Sequence, residues 1–357
     1  MGKFKLLVMF GGPSAEYDVS LVSAYNVLNN IDKNIYDIVT IGITKEGKWL
    51  LYTGEYDKIK NDNWLEDSCV PAFLSPEKDS KEIIILGKTV KREKIDCIFP
   101  VMHGRMVEDG RLQGLLEMSG TPFVGCGTFA SVNCMDKIAT HIFLSAAGIK
   151  NSRWMEFDIS AFSGNSIVKE VEENFNYPVF VKPANTGSSI GISKVTDRNM
   201  LLSALDTAFE FDKRILVEEF IDGHEVECAV MGNGNPIAAE VGQIIPANDF
   251  YDYNAKYHDD KSILKIPADI GEKTKAEVQR LAKKAYKLFC CEGLARVDFF
   301  VERTTGEIYL NELNTLPGFT EISMYSKLFA AVGVPYPKLL NKLIGYALEE
   351  KKGVKFI

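Results

Sequence analysis

Apolar positions along this chain follow two rhythms, and each predicts a kind of element. Lys5 to Phe10 and Tyr36 to Ile43 are short apolar runs that read as buried strands. Between them, from about Ser20, the residues Val22, Tyr25, Val27 and Leu28 recur at helical spacing, so the first segment is a βαβ unit. Asp96 to Val101 is a further run that ends in His103-Gly104 and leads into a helix around Gln113 to Met118. The first third is therefore expected to be an open parallel sheet. Ligands bind at the strand carboxyl ends of such sheets, which places Gly11-Gly12 and His103-Gly104 on one rim.

Further along, an amphipathic helix is predicted at Asp136 to Ala147, then strands at Tyr177 to Lys182 and Ile190 to Val195. The small-residue loop Pro183 to Ser189 joins those strands as a hairpin tip. Arg214 to Phe220, Glu225 to Met231 and Ile237 to Val241 read as strands, followed by a long polar stretch, Pro246 to Lys261. A helix over Lys273 to Phe289 precedes strands at Ala295 to Val301 and Ile308 to Leu313, then Gly318 and terminal helices. A chain of 357 residues exceeds what one core usually spans. The expected division is 1–125, 126–222 and 223–357, with a mixed α/β fold.

Composition narrows the function classes. At 46% hydrophobic and 25% charged residues, the whole chain is expected to fold. A net charge of −8 without Lys/Arg runs interleaved with aromatics argues against a nucleic-acid partner. The apolar stretch Leu6 to Phe10 is too short for a signal segment or a membrane span and runs into a Gly-Gly turn, so no membrane association is expected. Seven cysteines lack CxxC or Cys/His metal spacing, and Cys97, Cys134, Cys290 and Cys291 sit in apolar surroundings. Buried thiols in a reducing cytoplasm are the expectation.

Three groups of residues carry candidate chemistry. The first is Arg296-Val-Asp298 on one strand and Glu312-Leu-Asn314 on the next, with a turn at Gly306-Glu307. Residues two apart share a strand face, so a hairpin would gather these side chains, with Val297, Phe299, Tyr309 and Leu313 consistent with a core face behind. Two carboxylates and an amide oxygen suit Mg²⁺, and an arginine beside them suits developing negative charge. A salt-bridged exposed hairpin is the alternative. The second group is Lys182 and the loop ending in Gly187-Ser188-Ser189-Ile-Gly191, where glycines admit phosphate oxygens to backbone N–H groups. Its alternative is an ordinary hairpin tip. Lys137 opens a helix nearby, and Glu218-Glu219 ends a strand, where the carboxylates could accept hydrogen bonds from adenine or ribose, although a solvated strand end is the better reading of these two residues in isolation. The third group pairs Glu16 with His103, a carboxylate for an ammonium and an imidazole for a carboxylate, against a first-turn glutamate and a core histidine.

Taken in order, GGPSAEYDVS (11–20), HGRMVEDGRLQGLLE (103–117), MDK (135–137), VKPANTGSSIGISKV (181–195), VEEFIDGHEVE (217–227), FYDYNAKY (250–257), GLARVDFF (293–300) and NELNTLPGFTEIS (311–323) resemble the D-alanine–D-alanine ligase family. The resemblance runs from Lys5 to about Leu340 and implies an ATP-grasp fold with an amino-terminal open-sheet domain. It implies ATP, two Mg²⁺ ions or Mn²⁺ in their place, and D-alanine as ligands, in peptidoglycan precursor synthesis. The expected assembly is a homodimer. By the same resemblance, Lys137, Lys182, Ser189, Glu218, Glu225 and Lys256 match nucleotide contacts, and Asp298, Glu312 and Asn314 match metal ligands. Glu16 and His103 match the surroundings of the first D-alanine, while Arg296 and the N–H of Gly318 match the oxyanion site. Ser323 and Met324 match the second D-alanine's pocket, and Ser188, Lys256 and Tyr257 match a serine loop and a lid over 246–261. The chemistry implied is phosphorylation of one D-alanine carboxylate by ATP, then attack by the amine of the second.

Some positions depart from the family pattern. Val107 replaces a glycine in the HGRMVEDG run, where a β-branched residue would disfavour positive φ. Tyr17 stands for a basic residue, and Ser326 for a proline. Relatives that use D-serine or D-lactate tend to carry arginine at the position of Met324, and the lactate-forming ones histidine at that of Tyr257. Both positions point to D-alanine. A weakly catalytic binding paralogue is the contrasting possibility, motivated by Val107.

Overall fold

Three β-sheets arrange the chain, and a computed structural model describes residues 3–161, 163–245 and 263–349. The first sheet contains β1 (Phe4–Gly11), β2 (Tyr36–Ile43), β3 (Trp49–Tyr52), β4 (Val70–Leu74), β5 (Glu82–Leu86), β6 (Val90–Lys94) and β7 (Cys97–Val101). Its order is β6-β5-β4-β3-β2-β1-β7. Only β2-β1-β7 is the expected parallel unit; β3 to β6 extend it as antiparallel neighbours. Leu6 to Phe10 are inaccessible to solvent, as a strand covered on both faces requires. The crossover helix α1 (Tyr17–Asn30) starts before Ser20 because Tyr17 is itself core. Its hydroxyl donates to Asp62 and accepts from Trp64 Nε1, so this departure from the family pattern is absorbed by packing. A short α2 (Tyr56–Lys60) follows β3, and α3 (Arg111–Ser119) and α4 (Thr128–Met135) lead out of the sheet.

The second sheet, ordered β10-β9-β11-β8, is antiparallel throughout. It is built from β8 (Trp154–Asp158), β9 (Val179–Pro183), β10 (Ser193–Val195) and β11 (Arg214–Glu219). Helix α5 (Lys137–Ala146) precedes it, and α6 (Gly164–Asn174) and α7 (Arg198–Phe211) supply Val171 and Leu205 to its core. β10 is shorter than expected because Ser188, Ser189 and Gly191 take positive φ and keep the loop out of the ladder.

The third sheet is β12 (Gly223–Met231), β13 (Ile237–Ile245), β14 (Ile263–Lys265), β15 (Leu294–Glu302) and β16 (Ile308–Asn314), ordered β14-β13-β12-β15-β16. Helix α8 (Glu272–Leu288) packs on one face; α9 (Met324–Ala331) and α10 (Tyr336–Ala347) join the other face to the first sheet's core. Phe319 makes that junction edge-to-face with Phe99 at 5.7 Å. One core thus serves the first and third sheets and fixes their shared cleft.

Two further expectations change. A bulge between Asp298 and Phe299 in the β15–β16 pairing reverses side-chain parity, so Leu310 faces the core and Tyr309 does not. Tyr309 instead lies beneath the Lys150 ammonium. Cys97, Cys134 and Cys291 are buried, but Cys290 is exposed, because it takes φ of 55° just after α8 and turns outward. Among the described residues no helix is long and apolar enough to cross a membrane.

Candidate active site

The rim at the ends of β1 and β7 is built by glycines and short hydrogen bonds. At Gly11, φ is 82° and a Cβ would lie 2.2 Å from the Ile43 carbonyl oxygen, so only glycine fits. The hydroxyl of Ser14 donates to the His103 carbonyl at 2.6 Å, which ties the two glycine-containing turns together. Glu16 is buried, and its carboxylate accepts from Ser188 on the loop of the second sheet. A Cβ at Gly104 or Gly187 would stand 2.3 or 2.9 Å from Glu16 Oε2, so both glycines make room for that carboxylate.

His103 is buried, and both of its ring nitrogens are engaged. Nδ1 lies 2.8 Å from the Leu316 carbonyl, which can only accept. Nε2 lies 3.1 Å from Ser23 Oγ, and that oxygen accepts the Phe319 N–H at 3.2 Å, leaving its own proton for the ring. These bonds assign a neutral ring with the proton on Nδ1. Burial, opposed by Glu16, pushes its pKa down and favours the same form. His103 thus spends its N–H on the Leu316 carbonyl.

Glu108, in the acidic run after His103, grips the same segment from the other side. Its two oxygens accept from Leu316 N–H at 3.0 Å and Gly104 N–H at 3.2 Å. Burial, then the nearby Glu16, raise its pKa to about 7. Both backbone polar groups of Leu316 are therefore held by the 103–108 loop, just ahead of Gly318. Val107 does not disturb this turn, since the positive φ falls on Gly104 and Met106 and the valine side chain enters the core.

The β15–β16 hairpin supplies the opposite wall. Asp298 pairs with Glu312 and Arg296 with Asn314 in the ladder, so the side chains expected on one face are together. Arg296 holds Asp298 through two bonds of 2.8 and 2.7 Å and meets Glu227 at 3.1 Å, while Asn314 Nδ2 donates to Asp298 at 2.9 Å. Burial opposes its charge, but Asp298 and Glu227 raise the guanidinium pKa, so it stays charged. Glu227 lies opposite Asp298 on β12 and was not singled out in the sequence. The alternation from Glu225 was its only signal. Among the described residues no three His, Cys, Asp or Glu side chains are grouped to hold a metal. The oxygen donors gathered here are carboxylates and an amide.

Two cavities meet over this hairpin. One, of about 400 Å³, is lined by Glu16, Arg296, Asn314, Gly318, Ser323 and Met324, with His103 and Glu108 at its edge. Ser323 Oγ accepts the Thr320 N–H at 2.9 Å, and a Cβ at Gly318 would lie 2.8 Å from that oxygen. Met324 is buried against Gly242, and Ser326, in place of the usual proline, bonds back to the Ser323 carbonyl. The other cavity, of about 690 Å³, opens between the second and third sheets and is lined by Lys182, Ser189, Glu218, Glu225, Phe180 and Ile221. Lys137, Ser188 and Glu312 line both. Lys137 heads α5 behind the Asp136 cap, and its ammonium donates to the Thr186 carbonyl at 2.5 Å. Glu218 is buried and accepts from Lys182 at 2.8 Å. Lys256 and Tyr257, with the stretch 246–261 expected as a lid, lie outside the described residues.

Two such sheets facing across a cleft, behind an amino-terminal domain with a parallel core, define an ATP-grasp protein. The D-ala D-ala ligase N-terminus family model matches residues 5–126, and the D-ala D-ala ligase C-terminus model residues 143–345. The chain is 47% identical to a D-alanine–D-alanine ligase of Acetivibrio thermocellus, covering 97% of this chain and 96% of that protein. It is 46% identical to D-alanine–D-alanine ligase B of Clostridium tetani, covering 98% and 95%. Among solved structures, the VanG D-Ala:D-Ser ligase of Enterococcus faecalis superposes with a TM-score of 0.89 at 42% identity, covering 97% and 100%. The D-alanine–D-alanine ligase of Coxiella burnetii gives 0.86 at 34%, covering 97% and 94%. The chain belongs to the D-alanine–D-alanine ligase family.

Proposed function

We propose that this protein joins two D-alanines at the expense of ATP, in the cytoplasm, as a homodimer. The observation that carries the reading is the shared wall of the two cavities. A larger cleft lined by lysines suits a nucleotide, and a smaller, polar one suits a zwitterionic amino acid. Lys137 and Glu312 stand at their boundary, where a phosphoryl group would pass from one to the other. Exposed Met118, Phe129 and Val132, on the neighbouring helices α3 and α4, support a second copy as the cover for that face.

In this reading Lys137 and Lys182 hold the phosphates, Ser189 adds a donor, and Glu218 and Glu225 border the nucleoside end. Glu16, held by Ser188, faces the ammonium of the first D-alanine. The carboxylate of that D-alanine attacks the γ-phosphorus and displaces ADP, and the amine of the second D-alanine, once it has lost a proton, attacks the resulting acyl phosphate and displaces inorganic phosphate. Arg296 and the Gly318 N–H sit beside the carbonyl whose oxygen gains charge in that second step. The Glu108 and His103 grip on Leu316 keeps the Gly318 peptide in place. Asp298, Glu312 and Asn314 are hard oxygen donors at the cavity boundary and fit Mg²⁺ or Mn²⁺. A bound divalent cation would offset charge on the transferring phosphoryl group.

The similarity to a D-Ala:D-Ser ligase favours one competing reading, in which D-serine is the second substrate. Buried Met324 supports D-alanine, because an apolar wall offers a hydroxyl no partner. Competition between D-alanine and D-serine or D-lactate, read by mass spectrometry, tests this. D-alanyl-D-alanine is the expected main product, and a majority of mixed product would reverse the assignment. A binding paralogue would release no phosphate from ATP with D-alanine present.

A further inference from the structure

Behind the larger cavity lies a buried histidine with no role in the scheme above. His141, on α5, is 2% exposed and stacks on Trp154 with ring centroids 5.3 Å apart. Its Nε2 is 3.0 Å from Glu218 Oε1, and its Nδ1 is 3.0 Å from Asn151 Oδ1. The partners settle the direction of each bond. Asn151 places its Nδ2 at 3.0 Å from the Ile149 carbonyl and 3.2 Å from Ser145 Oγ. A carbonyl cannot donate, so the amide nitrogen must face Ile149 and the amide oxygen must face the ring. Glu218 takes Lys182 at 2.8 Å and Ser152 at 3.1 Å on its other oxygen. Burial works against the Glu218 charge, yet Lys182 and then His141 hold its carboxyl far below the usual carboxylate range. Both ring nitrogens therefore face acceptors, and a neutral ring would set a nitrogen lone pair against an oxygen lone pair inside the protein.

We infer that His141 is a buried imidazolium that positions Glu218 and, through it, aims Lys182 at the nucleotide phosphates. The proposal rests on the larger cavity being the nucleotide site. The charged groups around the ring are Glu218 on β11 and, beyond that carboxylate, Lys182 on β9, while Lys137 lies one turn earlier on α5. Asn151, Ser152 and Trp154 approach uncharged. Two cations thus share one carboxylate, and the cluster keeps a net positive charge beside the cavity. The imidazolium also occupies the Glu218 oxygen that Lys182 does not use. Without it the carboxylate could turn both oxygens onto the ammonium and draw it away from a ligand, spending donors that phosphate would otherwise receive.

The test combines ¹⁵N NMR of the histidine-labelled full chain with calorimetric binding of ADP and Mg²⁺, using His141→Gln to assign the resonances. Glutamine keeps a donor to Glu218 but no charge. Both ring nitrogens of His141 are expected to carry protons at neutral pH, whereas those of His103 show one protonated and one bare nitrogen. ADP affinity should fall about tenfold in His141→Gln, the worth of a charge-assisted hydrogen bond, with the KM for D-alanine unchanged. A neutral His141 in the unmutated chain overturns the proposal, and that result needs no variant to fold. Parental ADP affinity in a folded His141→Gln overturns it equally. Failure of the unmutated chain to bind ADP would instead defeat the nucleotide reading itself, and the proposal with it.

Discussion

Ser23→Ala isolates the contribution of the segment that carries Gly318. The Ser23 hydroxyl is inaccessible to solvent, accepts the Phe319 N–H at 3.2 Å and donates to His103 Nε2 at 3.1 Å. Alanine would leave both partners buried and unpaired. Each such loss costs about 1–3 kcal/mol, so chemical denaturation should show a destabilisation of roughly 2–4 kcal/mol, with some relief as the segment relaxes. Relaxation is what turnover would register. A displaced Phe319 shifts the neighbouring Gly318 peptide, and full removal of an oxyanion donor costs about a hundredfold or more in kcat. A partial shift should therefore lower kcat about tenfold. The KM for ATP should hold, because none of Ser23, His103, Leu316 and Phe319 lines the larger cavity. Steady-state phosphate release with D-alanine and ATP each varied reads both constants. A kcat equal to the parent's, in a protein destabilised as stated, would refute the link between this network and the proposed oxyanion site.

Other outcomes follow from the same geometry. Glu312→Gln, at the boundary of both cavities, should abolish ligation while circular dichroism stays native, since a neutral amide lacks the charge with which this carboxylate would hold a divalent cation; near-normal turnover would sink the proposed metal assignment. Met324→Arg introduces a charge-assisted donor into the proposed pocket for the second amino acid, and product analysis should show the ratio moving toward D-alanyl-D-serine or the D-lactate depsipeptide. Glu108 has its pKa raised from 4.5 to about 7, so its contribution to stability is full below the ordinary carboxyl pKa and is lost as pH rises through about 7. That loss is up to about 3 kcal/mol, and the pH slope of stability between those values should flatten in Glu108→Gln when both proteins are denatured in urea across the range.

The parts of the fold legible in the sequence are those whose side chains repeat one period without interruption. β1, β2 and β7 are continuous apolar runs, and α8 has a clean amphipathic face. The strands β3 to β6 were not, because they are short and β6 reads VKREK, mostly exposed, with no apolar face to betray it. The bulge at Asp298 and Phe299 is invisible for a different reason: simple alternation predicts Tyr309 inward, and only the pairing partner reveals the extra residue. At the site, Asp298, Glu312, Asn314 and Arg296 could be grouped because strand alternation is local. Glu227 and Glu108 could not, since their meaning comes from partners far along the chain, Asp298 for one and Leu316 for the other. The same applies to His103, whose pairing with Leu316 and Ser23 spans three separate elements.

The most direct test of the proposed chemistry follows one oxygen atom. D-alanine labelled with ¹⁸O in its carboxylate would be incubated with the protein, ATP and Mg²⁺, and both dipeptide and inorganic phosphate analysed by mass spectrometry. If the carboxylate attacks the γ-phosphorus and the second amine then displaces phosphate, each turnover carries one labelled oxygen into the released phosphate while D-alanyl-D-alanine keeps three, one on its peptide carbonyl and two on its terminal carboxylate. Dipeptide formed with unlabelled phosphate would contradict the acyl-phosphate route, and labelled D-alanine recovered without dipeptide or phosphate release would contradict the ligase reading altogether.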